Sequence, residues 1–317
     1  MADSGRLVLD ADGVFLDERP YWDAAIAAAL ATLGIELAAD DRDVVTAIAC
    51  DRVGLPKVAK ERGCNSNWDL AAVLVRALAT AEVGASLRAG RIEAALVAWA
   101  TAARALRGAA TAVDPLARFG LARDAAYESI VARCEQELQR VVARSGWPTL
   151  GRPAALRANL AALRAAGWQL GVCTGRGAAD LDSALQQHGL VDAFAGGPRC
   201  DADTVDAAQH RFGPHCTGKP GPFPLLAAVL GLPAGAAALR QPGSCGWPTG
   251  VVYVGDSLAD FVMAKAVRAL GLPLRYAHVA SPATDAGTLA ALANEAAVFG
   301  LFPSLAAFAK ALPEAVA

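Results

Sequence analysis

No apolar run in this sequence persists for the roughly 18–20 residues that a bilayer crossing needs. Hydrophobic residues make up 55% of the 317, but many are alanine, which favours helix and does not by itself imply a membrane. There is no basic surplus either. Lys and Arg number 29 against 31 Asp and Glu, a formal net charge of −2, so the clustered positive face of a nucleic-acid binder is not expected. The seven cysteines are odd in number and show no paired spacing, which points to reduced thiols in place of a disulfide framework. The opening MADSGRLVLD lacks the basic and apolar segments of a secretory signal, and a cytoplasmic protein is expected. Cys200, His210, His215 and Cys216 are zinc-type ligands, but their spacing fits none of the common zinc patterns. Ordinary thiols and loop residues are the simpler reading.

What is present begins with LVLDADGVFLDE, Leu7 to Glu18. A short apolar strand, Arg6 to Leu9, ends in Asp10 and Asp12, and a glycine follows. From Tyr21 to about Arg144 the apolar residues recur at helical spacing, with Trp22, Ile26, Ala29, Leu30 and Leu33 on one face. Further helices are expected over Trp68 to Leu78, with Ser66 and Asp69 in the form of a capping box, and over Arg91 to Leu106 and Leu121 to Val142. Residues 20–145 thus read as an all-helical insertion. Beyond the turn at Pro148 and Gly151 the pattern alternates. A helix over Ala154 to Ala166 precedes a strand over Trp168 to Cys173, and Ala178 to His188 is helical again. A loop rich in Gly, Pro and Cys leads to a helix near Phe223 to Leu230. A strand at Val251 to Val254, a helix from Leu258 to Leu270 and a final strand at Leu274 to Val279 follow. Such alternation predicts an α/β fold with a parallel, helix-covered sheet, which binds ligands beyond the carboxyl ends of its strands.

Four short motifs lie at those ends. Asp10 and Asp12 repel, so both stay ionised only with a compensating cation or proton. A hard divalent cation such as Mg²⁺ takes one or two carboxylates and leaves room for a phosphate. A carboxylate can also act as a covalent nucleophile, and an acidic turn after a strand is the plainer reading. An EF-hand loop is excluded, because glycine falls at the fourth position instead of the sixth. Thr174, in Val172-Cys173-Thr174-Gly175-Arg176, can donate to a phosphate oxygen or serve as a turn residue or helix cap. Lys219, in Thr217-Gly218-Lys219-Pro220, is a surface lysine or a point charge at a phosphate. Gly255-Asp256-Ser257 through Asp260 places two acids on one face at a helix start, where they bind a metal or cap the helix.

In this order the four motifs resemble the haloacid dehalogenase superfamily, in its branch of phosphoglycolate phosphatases and β-phosphoglucomutase-like proteins. The resemblance implies a Rossmann-like core over residues 1–19 and 146–317, with a helical C1-type cap over 20–145. It implies Asp10 as the nucleophile that takes the phosphoryl group. Asp12 would protonate the leaving oxygen and then activate water. Mg²⁺ would be held by Asp10, the backbone carbonyl of Asp12 and Asp256, with Asp260 in support. Thr174 and Lys219 would bind the transferring phosphoryl. Phosphoryl transfer depends mostly on positioning and charge stabilisation, which agrees with that division.

Asp12 separates the chain from the dehalogenases it resembles, since a halide needs no proton and an alkoxide does. β-Phosphoglucomutase-like members carry a histidine twelve residues after the nucleophile; here that residue is Trp22. Hydrolysis of a small phosphorylated metabolite is therefore expected. A phosphomutase or phosphotransferase, or a phosphometabolite-binding protein without turnover, are the alternatives. Substrate contacts are sought in the loop Arg52 to Asp69, whose Arg52, Lys57, Lys60, Arg62, Asn65 and Asn67 suit a polar anion. A solvated helix face is the competing reading. Arg176 is a second candidate for a substrate anion. Trp22, Trp68 and Trp99 are expected in the cap core, and Cys173 is expected buried. Either a monomer or a homodimer is compatible with the sequence.

Overall fold

The computed structural model describes residues 5–35, 39–55, 66–79, 93, 97, 115–118, 120–281, 289, 292, 293, 295 and 298–316. The chain divides into two units, Met1–Asp17 with Trp147–Ala317, and Glu18–Gly146. Strand β1 (Arg6–Leu9) is buried from its second residue onward. A reversal follows, closed by Phe15 and Leu16 N–H groups donating to the Ala11 carbonyl at 3.0 and 2.8 Å.

Among the described residues, the Glu18–Gly146 unit contains helices and no strand. Helix α1 (Arg19–Thr32) has Pro20 in its first turn, where the missing N–H costs nothing, and buries Trp22, Ile26, Ala29 and Leu30. Helix α2 (Ala39–Ala47) runs into a π-helical turn at Ile48–Arg52. Helices α3 (Asn67–Leu78), α4 (Pro115–Arg118) and α5 (Ala125–Ser145) follow. α1 packs on α3 and α5 through a core that includes Leu30, Leu55, Val73, Leu74 and Cys134. Each large aliphatic side chain so buried contributes about 1.5–3 kcal/mol. The expected helix from Leu121 starts instead at Ala125, because Asp124 accepts from the Ala126 and Tyr127 N–H groups and caps it there. At the box expected at Ser66 and Asp69, Ser66 Oγ accepts the Asp69 N–H at 3.3 Å. The Asp69 carboxylate also takes Tyr127 Oη and Arg123. Trp22 is buried, and half-buried Trp68 packs on this core, as expected. Of the expected helix Arg91 to Leu106 only Glu93 and Val97 are described, both helical, and Trp99 lies outside the described residues.

The remaining elements build the sheet. They are α6 (Pro153–Ala165), β2 (Gln169–Cys173), α7 (Ala178–Gln187), β3 (Arg199–Cys200), α8 (Ala202–Phe212), α9 (Phe223–Leu230), α10 (Leu232–Ala238), β4 (Val251–Gly255), α11 (Leu258–Ala269), β5 (Arg275–Val279), β6 (Val298–Phe302) and α12 (Leu305–Val316). The six strands are parallel, in the order β3-β2-β1-β4-β5-β6. Central strands buried on both faces read as continuous apolar runs, and all five residues of β4 are buried. The chain adds β2 and β3 on one side of β1, then returns to place β4 on the other. The order therefore reverses between β1 and β4, the point at which parallel sheets open a crevice. Leu9 pairs with both Val172 and Val254, so β1, β2 and β4 end level around that crevice.

Two expectations need correction. The sheet does not end at Val279: β6 adds an edge strand, half-buried throughout and offset by a register shift between Tyr276 and Ala277. The Gly-, Pro- and Cys-rich loop after α7 contains β3, only two residues long, and α8, capped by Asp201 through the Thr204 N–H at 2.8 Å. No described helix is long and apolar enough to cross a membrane.

Candidate active site

Asp10 is the first residue past β1, tied to the next strand by its N–H donating to the Val254 carbonyl at 2.8 Å. It is buried, and its two oxygens have different partners. Oδ1 accepts the Ala11 N–H at 2.7 Å, and Oδ2 faces Lys219 Nζ at 2.8 Å. Lys219 also donates to Asp260 Oδ1 at 2.8 Å. One ammonium thus bridges the first and fourth motifs, although 209 residues separate Asp10 from Lys219 in sequence.

Asp260 has no exposed surface, and its oxygens are saturated by the protein. Oδ1 accepts Lys219 and Tyr253 Oη, the latter at 2.5 Å. Oδ2 accepts the Ser257 hydroxyl at 2.6 Å and the Ser257 and Asp256 N–H groups at 3.1 and 3.3 Å. Ser257 Oγ in turn accepts the Asp260 N–H, completing a capping box on α11. Both readings of Asp260 therefore meet: it caps the helix and, in doing so, fixes the backbone that carries Asp256. Buried Asp256 faces Gly13, whose φ of +75° and missing side chain make room for it.

Burial pushes Asp10 well above the ordinary carboxylate range; Lys219 opposes this, and Asp260, Asp256 and Asp12 add to it. For Asp260, burial acts the same way but is overcome by Lys219, Ser257 and Tyr253, and the pKa falls to about 2. Burial works against the Lys219 charge, yet Asp10 and Asp260 offset it and raise the pKa. Of the two carboxylates on that lysine, Asp260 keeps its charge. Asp10 is the one for which a further cation would matter. The carboxylates of Asp10, Asp256 and Asp260 offer oxygens within 4.8 Å of one another, the only group of its kind among the described residues. An all-oxygen, buried donor set at this spacing fits a hard divalent cation such as Mg²⁺.

Thr174 is buried after β2, its N–H donating to the Cys200 carbonyl at 2.9 Å. Its Oγ1 accepts the Arg176 N–H at 3.2 Å, a hydroxyl-stabilised turn that leaves the hydroxyl proton available to donate. Arg176, the other residue expected at a substrate anion, follows on the same turn. Its side chain has no exposed surface and pairs with both oxygens of Asp12. Cys173 is buried, as expected, and burial raises its thiol well above the ordinary range.

Other expected residues are not brought together with these. Cys200 and Cys216 are buried in the core beside the sheet, whereas His210 and His215 are exposed, and they form no metal group among the described residues. Arg52 is exposed and ion-paired with Glu93 at 3.2 Å. Asn67 opens α3. Lys57, Lys60, Arg62 and Asn65 lie outside the described residues. Two residues went unnoticed in the sequence, Tyr253 and Trp147. Tyr253 carried a signal: a phenol in the aliphatic run Val251-Val252-Tyr253-Val254 needs a buried partner. Trp147, next to the turn at Pro148, carried none.

No protein-family model and no curated protein sequence matches this chain. Solved structures do. An X-ray structure of a structural-genomics target aligns with a TM-score of 0.61 at 18% identity, over 97% of this chain and 98% of that one. A provisionally assigned phosphoglycolate phosphatase from Lactobacillus plantarum gives 0.51 at 14% identity, over 95% and 96% of the two chains. A provisionally assigned haloacid dehalogenase-like hydrolase from Bacteroides fragilis gives 0.51 at 15%, over 96% and 98%. At such identities the likeness establishes the fold. This chain has the haloacid dehalogenase-like α/β fold, with a helical unit inserted after the first strand.

Proposed function

We propose that the protein is a Mg²⁺-dependent phosphoric monoester hydrolase acting on a small phosphorylated metabolite through a phosphorylated Asp10. The observation that carries this reading is the pairing of a buried carboxylate and a buried ammonium, Asp10 and Lys219 at 2.8 Å, at the sheet's switch point. In the first step an Asp10 carboxylate oxygen attacks phosphorus, the bond to the ester oxygen breaks, and that oxygen takes the proton of Asp12. In the second, Asp12 takes a proton from water, the water oxygen attacks phosphorus, and the bond to Asp10 breaks to release inorganic phosphate. Lys219 neutralises charge on the transferring group, and the Thr174 hydroxyl donates to one of its oxygens. The carboxylates of Asp10 and Asp256 and the Asp12 carbonyl would hold Mg²⁺, with Asp260 orienting them. Bound there, the ion would stabilise negative charge on the phosphoryl oxygens. Residues 1–19 and 146–317 form the catalytic core in this reading, and the helical unit, residues 20–145, contributes to substrate choice.

A screen for phosphate release over sugar phosphates, short phosphorylated acids, nucleotides and amino-acid phosphates, with and without Mg²⁺, tests this directly. Release that requires Mg²⁺ and disappears in Asp10→Asn, with the circular dichroism spectrum unchanged, is the expected result. Asp10→Asn releasing phosphate as fast as the parent would remove Asp10 as nucleophile. Transfer to a second hydroxyl without free phosphate would identify a mutase or phosphotransferase instead.

A further inference from the structure

Arg176 is built into the core as few arginines are. Its side chain has no exposed surface, and its guanidinium lies over the Trp147 ring at 4.3 Å. Its backbone is fixed at both ends, the N–H donating to Thr174 Oγ1 at 3.2 Å and the carbonyl accepting the Ala202 N–H at 3.1 Å. The ring beneath it is fixed as well. Trp147 is buried, its N–H donates to Gln187 Oε1 at 2.8 Å, and its carbonyl accepts Gln187 Nε2 at 3.0 Å and His188 Nε2 at 2.5 Å. The planar fork ends on Asp12, Nε reaching Oδ2 at 3.4 Å and Nη2 pairing with Oδ1. Asp12 is by contrast one-fifth exposed. A rigid, desolvated donor thus grips a carboxylate that would otherwise turn freely at the mouth of the crevice.

We propose that Arg176, seated on Trp147, is a positioning residue that aims the Asp12 carboxylate, and is not a contact for a substrate anion. The inference rests on the reading of Asp12 as the group that moves protons. A group in contact with the leaving oxygen must be aimed at it, and positioned proton transfer contributes about 10²–10⁴-fold. Bidentate pairing with a planar fork fixes both the position and the plane of a carboxylate, which a lysine cannot do.

Two esters of similar shape separate the possibilities: phenyl phosphate, whose leaving phenolate is strongly basic, and p-nitrophenyl phosphate, whose leaving group needs little protonation. With Mg²⁺ present, Arg176→Met should lower kcat/KM for phenyl phosphate about 100-fold and for p-nitrophenyl phosphate less than about tenfold, with KM little changed. Arg176→Lys, which keeps a charge in the same space, should lie between parent and Arg176→Met with the same ester dependence. It serves as the test should Arg176→Met melt below the assay temperature. In an Asp12→Asn background, Arg176→Met should cost little more, since the two residues act as a unit. Equal losses on both esters would make Arg176 merely structural. A raised KM with kcat intact would return it to the substrate, and either result overturns the proposal. A parent protein that releases phosphate from neither ester nor any compound of the metabolite screen would instead defeat the hydrolase reading beneath it.

Discussion

Gly13→Ala should disable the site by displacing a carboxylate it never touches chemically. At Gly13 the backbone φ is +75°, a conformation that costs an L-residue about 1–2 kcal/mol. The second cost is steric. A Cβ built there would stand 2.7 Å from Asp256 Oδ1 and closer still to Cγ and Oδ2. Ordinary carbon contacts begin near 3.5 Å, so the carboxylate must retreat by at least about 1 Å. It has little freedom to do so, because the Asp256 N–H is tied to Asp260 and its neighbour Ser257 is the cap of α11. A misplacement of about 1 Å in a reacting constellation costs about 10²-fold in rate. Gly13→Ala should therefore lower kcat/KM about 100-fold, raise the Mg²⁺ concentration for half-maximal activity, and lower stability by about 1–3 kcal/mol. Thermal melts with EDTA, paired with Mg²⁺ titrations of phosphate release, measure all three. A variant destabilised as expected but within about threefold of parental activity, at unchanged Mg²⁺ demand, would refute the reasoning, because Asp256 would then tolerate displacement.

Lys219→Met leaves Asp10 and Asp260 without the ammonium they share, and breaking such a buried pair costs about 3–5 kcal/mol. The variant should melt well below the parent in EDTA and recover more than the parent does on adding Mg²⁺; equal Mg²⁺ effects on both would refute the shared-charge account. His278 gives a pH prediction. It is buried, its Nε2 has no hydrogen-bond partner, and burial lowers its pKa to about 4. The unfolded imidazole, near 6.5, binds a proton that the folded one refuses, so its contribution is intact above pH about 6.5. It falls as pH drops toward 4, by about 3 kcal/mol at most. Asp10, raised by burial, shifts stability the other way, so the difference between parent and His278→Phe in urea midpoints isolates the histidine. His278→Phe should lose less stability than the parent between pH 6.5 and 4.5, and parallel acid limbs would sink the claim.

The fold was legible where physical demands coincide with short-range pattern. Val251 to Val254 read as a strand because a central parallel strand must be apolar on both faces, and all of it is buried. β6 was missed because an edge strand has no such demand: Val298 to Phe302 is half-buried throughout and interrupted by Gly300. α8 was hidden by its surroundings. Asp201 caps it by accepting the Thr204 N–H, a local signal outweighed by the glycines, prolines and cysteines around it. The positions of α1 and α5 were nearly right, with errors at the ends, where Pro20 and Asp124 set the start more sharply than hydrophobic period does.

The site divides along a different line. Asp10 and Asp256 could be picked out because each stands just past a strand, and parallel strands that end level bring such residues together. Lys219, in the loop between α8 and α9, and Asp260, in the first turn of α11, have no such positional signal and rest on their motifs alone. What sequence could not supply is the pairing among them. Nothing in the order of residues says that Lys219 bridges Asp10 and Asp260, or that Asp260 spends both oxygens on protein donors. Arg176 shows the same limit from the other side. Next to a threonine that can donate to a phosphate, an arginine reads as a substrate anchor, yet Arg176 pairs with Asp12, 164 residues away. A desolvated guanidinium must satisfy itself within the protein before it can serve a ligand. Burial therefore decides the role of a charged residue in this crevice, and burial is a property of the assembled sheet that no short motif contains.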